Sequence, residues 1–149
     1  MPWPRNPKEI PAVKSVMTPF PYAIDQEDSL DQAREMMLAQ RIHHLPVMDQ
    51  GTPLGIIRYR DLARTLEQDE GDDGSTLRVA DVPREEAYVV DLSAPLDRVL
   101  QQMADQRCEA ALVVKDERLA GIFTLTDACR CFALSLRQQF PSSGGDEAA

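Results

Sequence analysis

Histidine is nearly missing from this chain: of 149 residues only His43 and His44 are histidine, and they are adjacent. Neighbouring residues on a strand point to opposite faces, so the pair is not expected to grip one metal ion. Cysteine is almost as scarce. Cys108, Cys129 and Cys131 cannot all pair within one chain, and a reduced, cytoplasmic setting is the simplest expectation. Cys129 and Cys131 fall two apart on a predicted helix and do not share a face. The signatures G-x-G-x-x-G, G-x-x-x-x-G-K-[ST], G-x-S-x-G and H-E-x-x-H are all absent. With no nucleophile–base pair to name, the chain is not expected to be an enzyme. No catalytic or metal-binding residue and no cofactor is assigned.

Positive charge is also short. Sixteen Lys and Arg stand against 25 Asp and Glu, a net charge of −9, which opposes binding to nucleic acid or anionic membrane. No apolar run approaches the ~18 residues that a membrane span needs, so membrane insertion is not expected. No basic stretch followed by an apolar one opens the chain, so no export signal is expected either. What remains is a soluble domain, or two small halves sharing one core. At this length a chain buries roughly 70% of its unfolded surface without a disulfide or metal staple.

The sequence is rich in one thing, its own repetition. Shifted by 66 residues, Val13–Asp61 falls on Val79–Asp127 without a gap, with 13 identical pairs in 49 positions. Composition alone would give about three or four. Among the pairs are Val16/Val82, Tyr22/Tyr88, Leu30/Leu96, Met37/Met103, Gly55/Gly121, Ile56/Ile122 and Asp61/Asp127. Each copy reads as strand, helix, strand, strand, helix. In copy one a strand is predicted over Tyr22–Asp25 and a helix over Ser29–Gln40. Asp28 is expected as its cap and Ser29 as its first residue, because Pro95 in copy two suits the first helical position. Leu96, Val99, Leu100, Met103 and Ala104 keep helical spacing.

Strands are predicted over Leu45–Met48 and Leu54–Tyr59, joined by the turn Asp49–Pro53, and again over Ala110–Val114 and Leu119–Leu125. Their nearly continuous apolar runs imply strands covered on both faces. A second helix is expected from about Arg60 and from about Thr126. The expected boundaries are an extended segment 1–12 with Trp3 lying on the domain, copy one at 13–66, an acidic linker at 67–78, copy two at 79–140, and a disordered tail at 141–149. The acidic linker resembles a calcium loop poorly: Gly71 takes a ligand position, and Ala80 falls where the closing Glu belongs.

Candidate binding residues gather where the last strand of each copy turns into its last helix. A helix N-terminus attracts phosphate. Thr124 could donate to a phosphate oxygen, and Asp127 could accept from a vicinal diol. Arg58 and Arg60 would supply the local basic patch that an acidic protein needs for an anion. Equally, Asp61 and Asp127 could simply be helix N-caps. Arg41 and Arg107 are expected to close their helices against the C-terminal dipole. Met36, Met37, Met48 and Met103 are expected to fill the core.

Three stretches, Val13-Lys14-Ser15-Val16-Met17-Thr18-Pro19, Arg41-Ile42-His43-His44-Leu45-Pro46-Val47, and Gly55-Ile56-Ile57 with Asp61, strongly resemble the CBS domain, the cystathionine-β-synthase-type regulatory motif. The resemblance spans about Val13–Phe132. It implies an α/β fold, a CBS-domain pair or Bateman module, in which two β-α-β-β-α repeats pack with pseudo-two-fold symmetry. It implies an adenosyl ligand (AMP, ADP, ATP or S-adenosylmethionine) in a cleft between the copies. Homodimers through the helices and an unknown regulated protein are the implied partners. By the same resemblance Thr124 would approach phosphate and Asp127 the ribose, with Thr18 and His43 to Pro46 (His43, His44 and Pro46 among them) at the adenine end.

Neither copy matches completely. Copy one has Arg58 where the family prefers Thr or Ser, and copy two has Pro83-Arg84 against Met17-Thr18 and Glu109-Ala110-Ala111-Leu112 against His-His-Leu-Pro. One working cleft is therefore expected, the one using Thr124 and Asp127, while Arg58 serves a phosphate chain or fills an empty cleft. The alternative is a pair that has lost its ligand and acts through homodimer or partner contacts, which the stripe Phe132, Leu136, Phe140 on the last helix would support.

Overall fold

The computed structural model describes residues 9–19, 21–69 and 76–141. Residues 1–8 of the expected extended segment, Trp3 among them, most of the linker's acidic run and the tail beyond Pro141 lie outside them. In chain order a 3-10 turn (Val13–Ser15) leads to β1 (Thr18–Pro19), β2 (Ile24–Asp25), α1 (Leu30–Gln40), β3 (His44–Asp49), β4 (Thr52–Arg58) and α2 (Tyr59–Glu67). A second 3-10 turn (Val79–Asp81) leads to β5 (Glu85–Glu86), β6 (Val89–Asp91), α3 (Leu96–Gln106), β7 (Ala110–Lys115), β8 (Arg118–Thr124) and α4 (Leu125–Gln139).

The two halves repeat each other down to the pairing register. His44 faces Arg58 across β3 and β4, and Ala110 faces Thr124 across β7 and β8, each shifted by the same 66 residues. Both hairpins turn on two residues with positive φ, Gln50-Gly51 and Asp116-Glu117. Such turns match the right-handed twist of the strands they join. The predicted turn Asp49–Pro53 therefore narrows to two residues, and its flanks extend the ladder.

The sheets, however, are not each made from one copy. One has the order β2-β3-β4-β5 and the other β1-β8-β7-β6. Each copy thus lends its opening strand to the other's sheet, β1 lying antiparallel on β8 and β5 on β4. The segment before each loaned strand goes with it. Val13 and Val16 are buried among Leu96, Val99, Met103 and Phe123, while Val79 and Val82 are buried among Leu30, Met37, Leu45 and Ile57. Gly55 and Gly121 make the crossing possible: a Cβ on Gly55 would overlap the Glu85 carbonyl, and one on Gly121 would overlap Met17 and the Thr18 carbonyl.

Alternation along the strands explains the continuous apolar runs. Leu45, Val47 and Ile57 face α1 and α2, and their counterparts Ala111, Val113 and Phe123 face α3 and α4. The intervening Ile56, Ala110, Leu112 and Ile122 meet between the two sheets. Both faces of each sheet are covered, as the patterning implied.

Several helix starts differ from expectation by one residue. Ser29 is the cap and not the first helical residue: its hydroxyl accepts from the Gln32 N–H (3.1 Å), and the Gln32 side chain accepts from the Ser29 N–H (3.1 Å). That reciprocal pair satisfies two otherwise orphaned donors. Asp28 is free to turn back and accept from the Asp25 N–H at 3.2 Å. Pro95 likewise sits at the cap position. The first strand is shorter than predicted, because Tyr22 stands 49% exposed outside the ladder. Arg41 and Arg107 do close their helices, both in the left-handed conformation (φ 54° and 55°), with backbone N–H groups on the preceding turn's carbonyls.

Candidate functional site

Exchange of the opening strands creates two places between the sheets that the repeat relates. The first is an opening of about 430 Å³ bounded by Thr18, Tyr22 and Ile42, by His44 and Pro46 on one face of β3, and by Ile122 from copy two. Thr18, His44 and Pro46, expected to lie together, do so. His43 precedes β3 and is not in that wall; it lines a smaller hollow of about 220 Å³ with Arg58, Tyr59, Arg60 and Glu109. His44 borders both spaces.

Thr124 lies two residues beyond Ile122 on β8, hence on the same face of the sheet, but it is not part of the open wall. It is the cap of α4. Its hydroxyl accepts from the Asp127 N–H at 3.2 Å, while the Asp127 Oδ2 accepts from the Thr124 N–H at 3.0 Å and from its hydroxyl at 3.2 Å. Asp127 is the one polar residue buried among those described, 4% exposed, and its Oδ1 lies 3.4 Å from Arg130 Nη1. The expectation that Asp127 is itself the N-cap is corrected: it stands three positions into the helix, returning the bond that Thr124 makes. Asp61 is not a cap either. It occupies the matching position in α2 and takes Arg58 Nε at 2.7 Å.

The repeat-related place between the sheets is occupied by charged side chains. The 66-residue register slips by one where the loaned strands pair. Thr18 lies opposite Ile122, but Glu85, not Arg84, lies opposite Ile56. Two residues, Pro83 and Arg84, separate buried Val82 from Glu85, where Met17 alone separates Val16 from Thr18. A slip of one residue turns the other set of side chains inward. Glu85 therefore takes the place of Thr18, facing Arg58 in the place of Thr124. Arg58 Nη1 lies 3.3 Å from Glu85 Oε1 and 3.6 Å from Glu109 Oε1. The Asp61 hydrogen bond, reinforced by the charges of Asp61, Glu85 and Glu109, holds the Arg58 guanidinium above its ordinary pKa against partial burial.

Glu109 is the residue that sequence reasoning passed over as a site. Its Oε2 lies 2.7 Å from His44 Nε2, and its Oε1 lies 3.5 Å from Arg60 Nη2. The hydrogen bond to His44 is the main cause that draws its carboxyl below the usual range; partial burial opposes, and the charges of His44, Arg58 and Arg60 add to the lowering. Glu109 is the repeat counterpart of His43. That change of charge at a matched position was the available signal. The expected basic patch is corrected accordingly. Arg58 and Arg60 face Asp61, Glu85 and Glu109, so two guanidinium groups meet three carboxylates.

Among the described residues no cluster of His, Cys, Asp or Glu could hold a metal ion, and no helix is long and apolar enough to cross a membrane. Cys129 is exposed and Cys131 buried, consistent with their different helix faces.

Comparison with known proteins gives the same architecture. The CBS domain model matches residues 13–68 and again 79–133. The L-aspartate semialdehyde sulfurtransferase of Methanocaldococcus jannaschii is 26% identical over 125 residues, 83% of this chain, although the chain spans only 23% of that enzyme's length. The CBS domain pair of protein MJ0100, solved in complex with 5′-methylthioadenosine and S-adenosyl-L-methionine, is similar with a TM-score of 0.71 at 26% identity, over 85% of this chain and 99% of that one. The CBS domain of a bacterial CNNM/CorC family Mg2+ transporter in complex with ATP shares the fold, with a TM-score of 0.72 at 23% identity over 83% and 87% of the two chains. Two family matches on two interlocked β-α-β-β-α units establish that this chain belongs to the CBS-domain family and is a tandem pair of its motifs.

Proposed function

We propose that the chain is a regulatory module that binds one adenosyl ligand, in the cleft bounded by Thr18, His44, Pro46 and Ile122. The observation that carries this reading is the contrast between that opening of about 430 Å³ and its repeat-related counterpart, which Arg58 and Glu85 close. Tyr22 and Pro46 offer flat apolar surface to a purine, and Thr18 and His44 offer hydrogen bonds to its edge. Thr124 and Asp127 lie where the β8 face continues, within reach of a sugar diol and its 5′ substituent. Asp127 has lone-pair capacity left at Oδ1, which makes a long contact to Arg130. The solved MJ0100 pair, which holds two adenosyl compounds, supports the ligand class. No group in the cleft pairs a nucleophile with a base, and the module is read as a sensor without catalysis.

A thermal-shift panel of 5′-methylthioadenosine, S-adenosylmethionine, AMP, ADP and ATP tests this. A ligand at ~100 times its Kd adds about 2.7 kcal/mol, roughly 5–10 °C for a chain of this size. Asp127→Ala is expected to abolish the shift, measured from its own unliganded melting temperature, while Asp61→Ala retains it. The reverse pattern would place the ligand in the other cleft.

A second reading rests on Phe132 and Phe140, 65% and 73% exposed on α4 with Leu136 between them. Such a stripe suits a pair that works through a second copy or a protein partner. Sedimentation equilibrium of the chain and of Phe132→Ser separates the two readings: a ligand-silent dimer that the substitution dissociates would favour this one.

A further inference from the structure

Resting on the adenosyl reading, the inner end of the open cleft carries a further inference, about charge. We infer that Glu109 sets the charge of the ligand, admitting adenosyl compounds whose 5′ substituent is neutral or cationic and rejecting polyphosphates. His44 is the wall common to the open cleft and the inner hollow, and its Nε2 is engaged by Glu109 Oε2 at 2.7 Å. The backbone of Glu109 sits at the start of α4, where its carbonyl accepts from the Leu125 N–H at 3.0 Å. A ligand lying along the β8 face toward Thr124 approaches Glu109, whose neighbour Ala110 pairs with Thr124 and whose carboxylate holds the shared His44.

Among the described residues, the two arginines beside Glu109 are already matched. Arg58 is held by Asp61, Glu85 and Glu109, and Arg60 by Glu109. The N-terminus of α4 is likewise answered by the buried Asp127. Two arginines against Asp61, Glu85 and Glu109 leave the cluster one negative charge in excess when His44 is neutral. A triphosphate would have to displace Glu109 from His44 and both arginines while lying beside it. A thioether pays no such penalty, and a sulfonium gains from the carboxylate. Glu109 thus does internally what an anionic ligand would otherwise do.

Isothermal titration of the full chain tests this with 5′-methylthioadenosine, S-adenosylmethionine and ATP. The wild type is expected to prefer the first two over ATP by about tenfold or more. E109Q, which preserves size and the bond to His44, should shrink that preference by about tenfold, and E109H, restoring the residue found at the matching place in copy one, should shrink it further. Raising salt should strengthen ATP binding to the wild type and leave 5′-methylthioadenosine unchanged, a readout that needs no variant. ATP bound as tightly as 5′-methylthioadenosine by the wild type, or a preference that survives E109Q unaltered, overturns the inference and leaves the adenosyl reading standing. If none of the three ligands binds the wild type, and neither AMP nor ADP does, both fall.

Discussion

The two clefts of this molecule descend from one plan and have opposite contents. Where the first has Thr18 facing the Thr124 position, the second has Glu85 facing Arg58, at 3.3 Å. Two small neutral hydroxyl side chains leave space; a carboxylate and a guanidinium fill it and bond to each other. The ion pair is half-buried and joined to Asp61 and Glu109, so it forms a network and not an isolated surface pair. A cleft can thus be retired without disturbing the fold around it. The β3–β4 and β7–β8 hairpins still repeat residue for residue, while the loaned strands differ in register by one and the last helices in length and cap.

The largest test asks whether the halves are comparable as cores as well. Phe123 and Ile57 occupy matched, fully buried places. Phe123→Ala is expected to cost about 3–5 kcal/mol and Ile57→Ala about 2–5 kcal/mol. Because each core contains a segment of the other copy, both variants should lower the midpoint of one shared urea transition, followed by circular dichroism. A biphasic curve for either would show that the halves unfold separately.

A change at the helix caps should have a middling effect. Thr124→Val removes the hydroxyl that closes the start of α4 and should cost about 1–2 kcal/mol in urea unfolding. The matching Arg58→Val removes no capping hydroxyl, because α2 begins without a side-chain cap, so its cost reports on the ion pairs alone. Equal costs would mean that the two networks are equivalent after all. In the double variant Arg58→Thr/Glu85→Thr the second cleft should open, raising the adenosyl stoichiometry from one to two in a titration while global stability moves by less than about 1 kcal/mol.

The smallest expected effect is in pH dependence. Folding lowers the Glu109 pKa, chiefly through the His44 hydrogen bond. A carboxyl depressed by folding stabilises the protein above its unfolded value, ordinarily 4.5, and that contribution is lost as pH falls through the folded value. Urea midpoints should therefore be flat in this respect from pH 7 to about 5 and decline below. E109Q should decline less steeply than the wild type over that acid range. Identical slopes would show that the bridge to His44 adds nothing to stability.

Much of the fold was legible in the sequence because it rests on periodicity. The 66-residue shift, the double-sided apolar strands and the helix faces of Leu96, Val99 and Met103 all follow from spacing alone. Three features were not. That Val13 and Val16 fill the other half's core is a choice of partner, and apolar residues carry no address. The slip that puts Glu85 in the place of Thr18 hides in a gapless alignment, because the extra residue before it is recovered by Tyr88. The neutralisation of Arg58 and Arg60 depends on carboxylates brought from Glu85 and Glu109, remote in sequence. Ser29 capping through Gln32 was readable from the pattern S-x-x-Q, but Pro95 set the register one residue off.

The loaned strands also bear on ancestry. A lone copy of the repeat would have an empty place in its sheet and a displaced segment with nowhere to dock. The chain able to fill that place is an identical copy offering the same segment in return, which makes a reciprocal two-chain assembly the simplest predecessor. Carrying both copies on one chain makes a unimolecular fold of what would otherwise be a concentration-dependent association. It also releases a constraint, since identical subunits must carry identical clefts. Within one chain the two places can differ, and they do: Glu85 and Arg58 stand in one where Thr18 and Thr124 stand in the other.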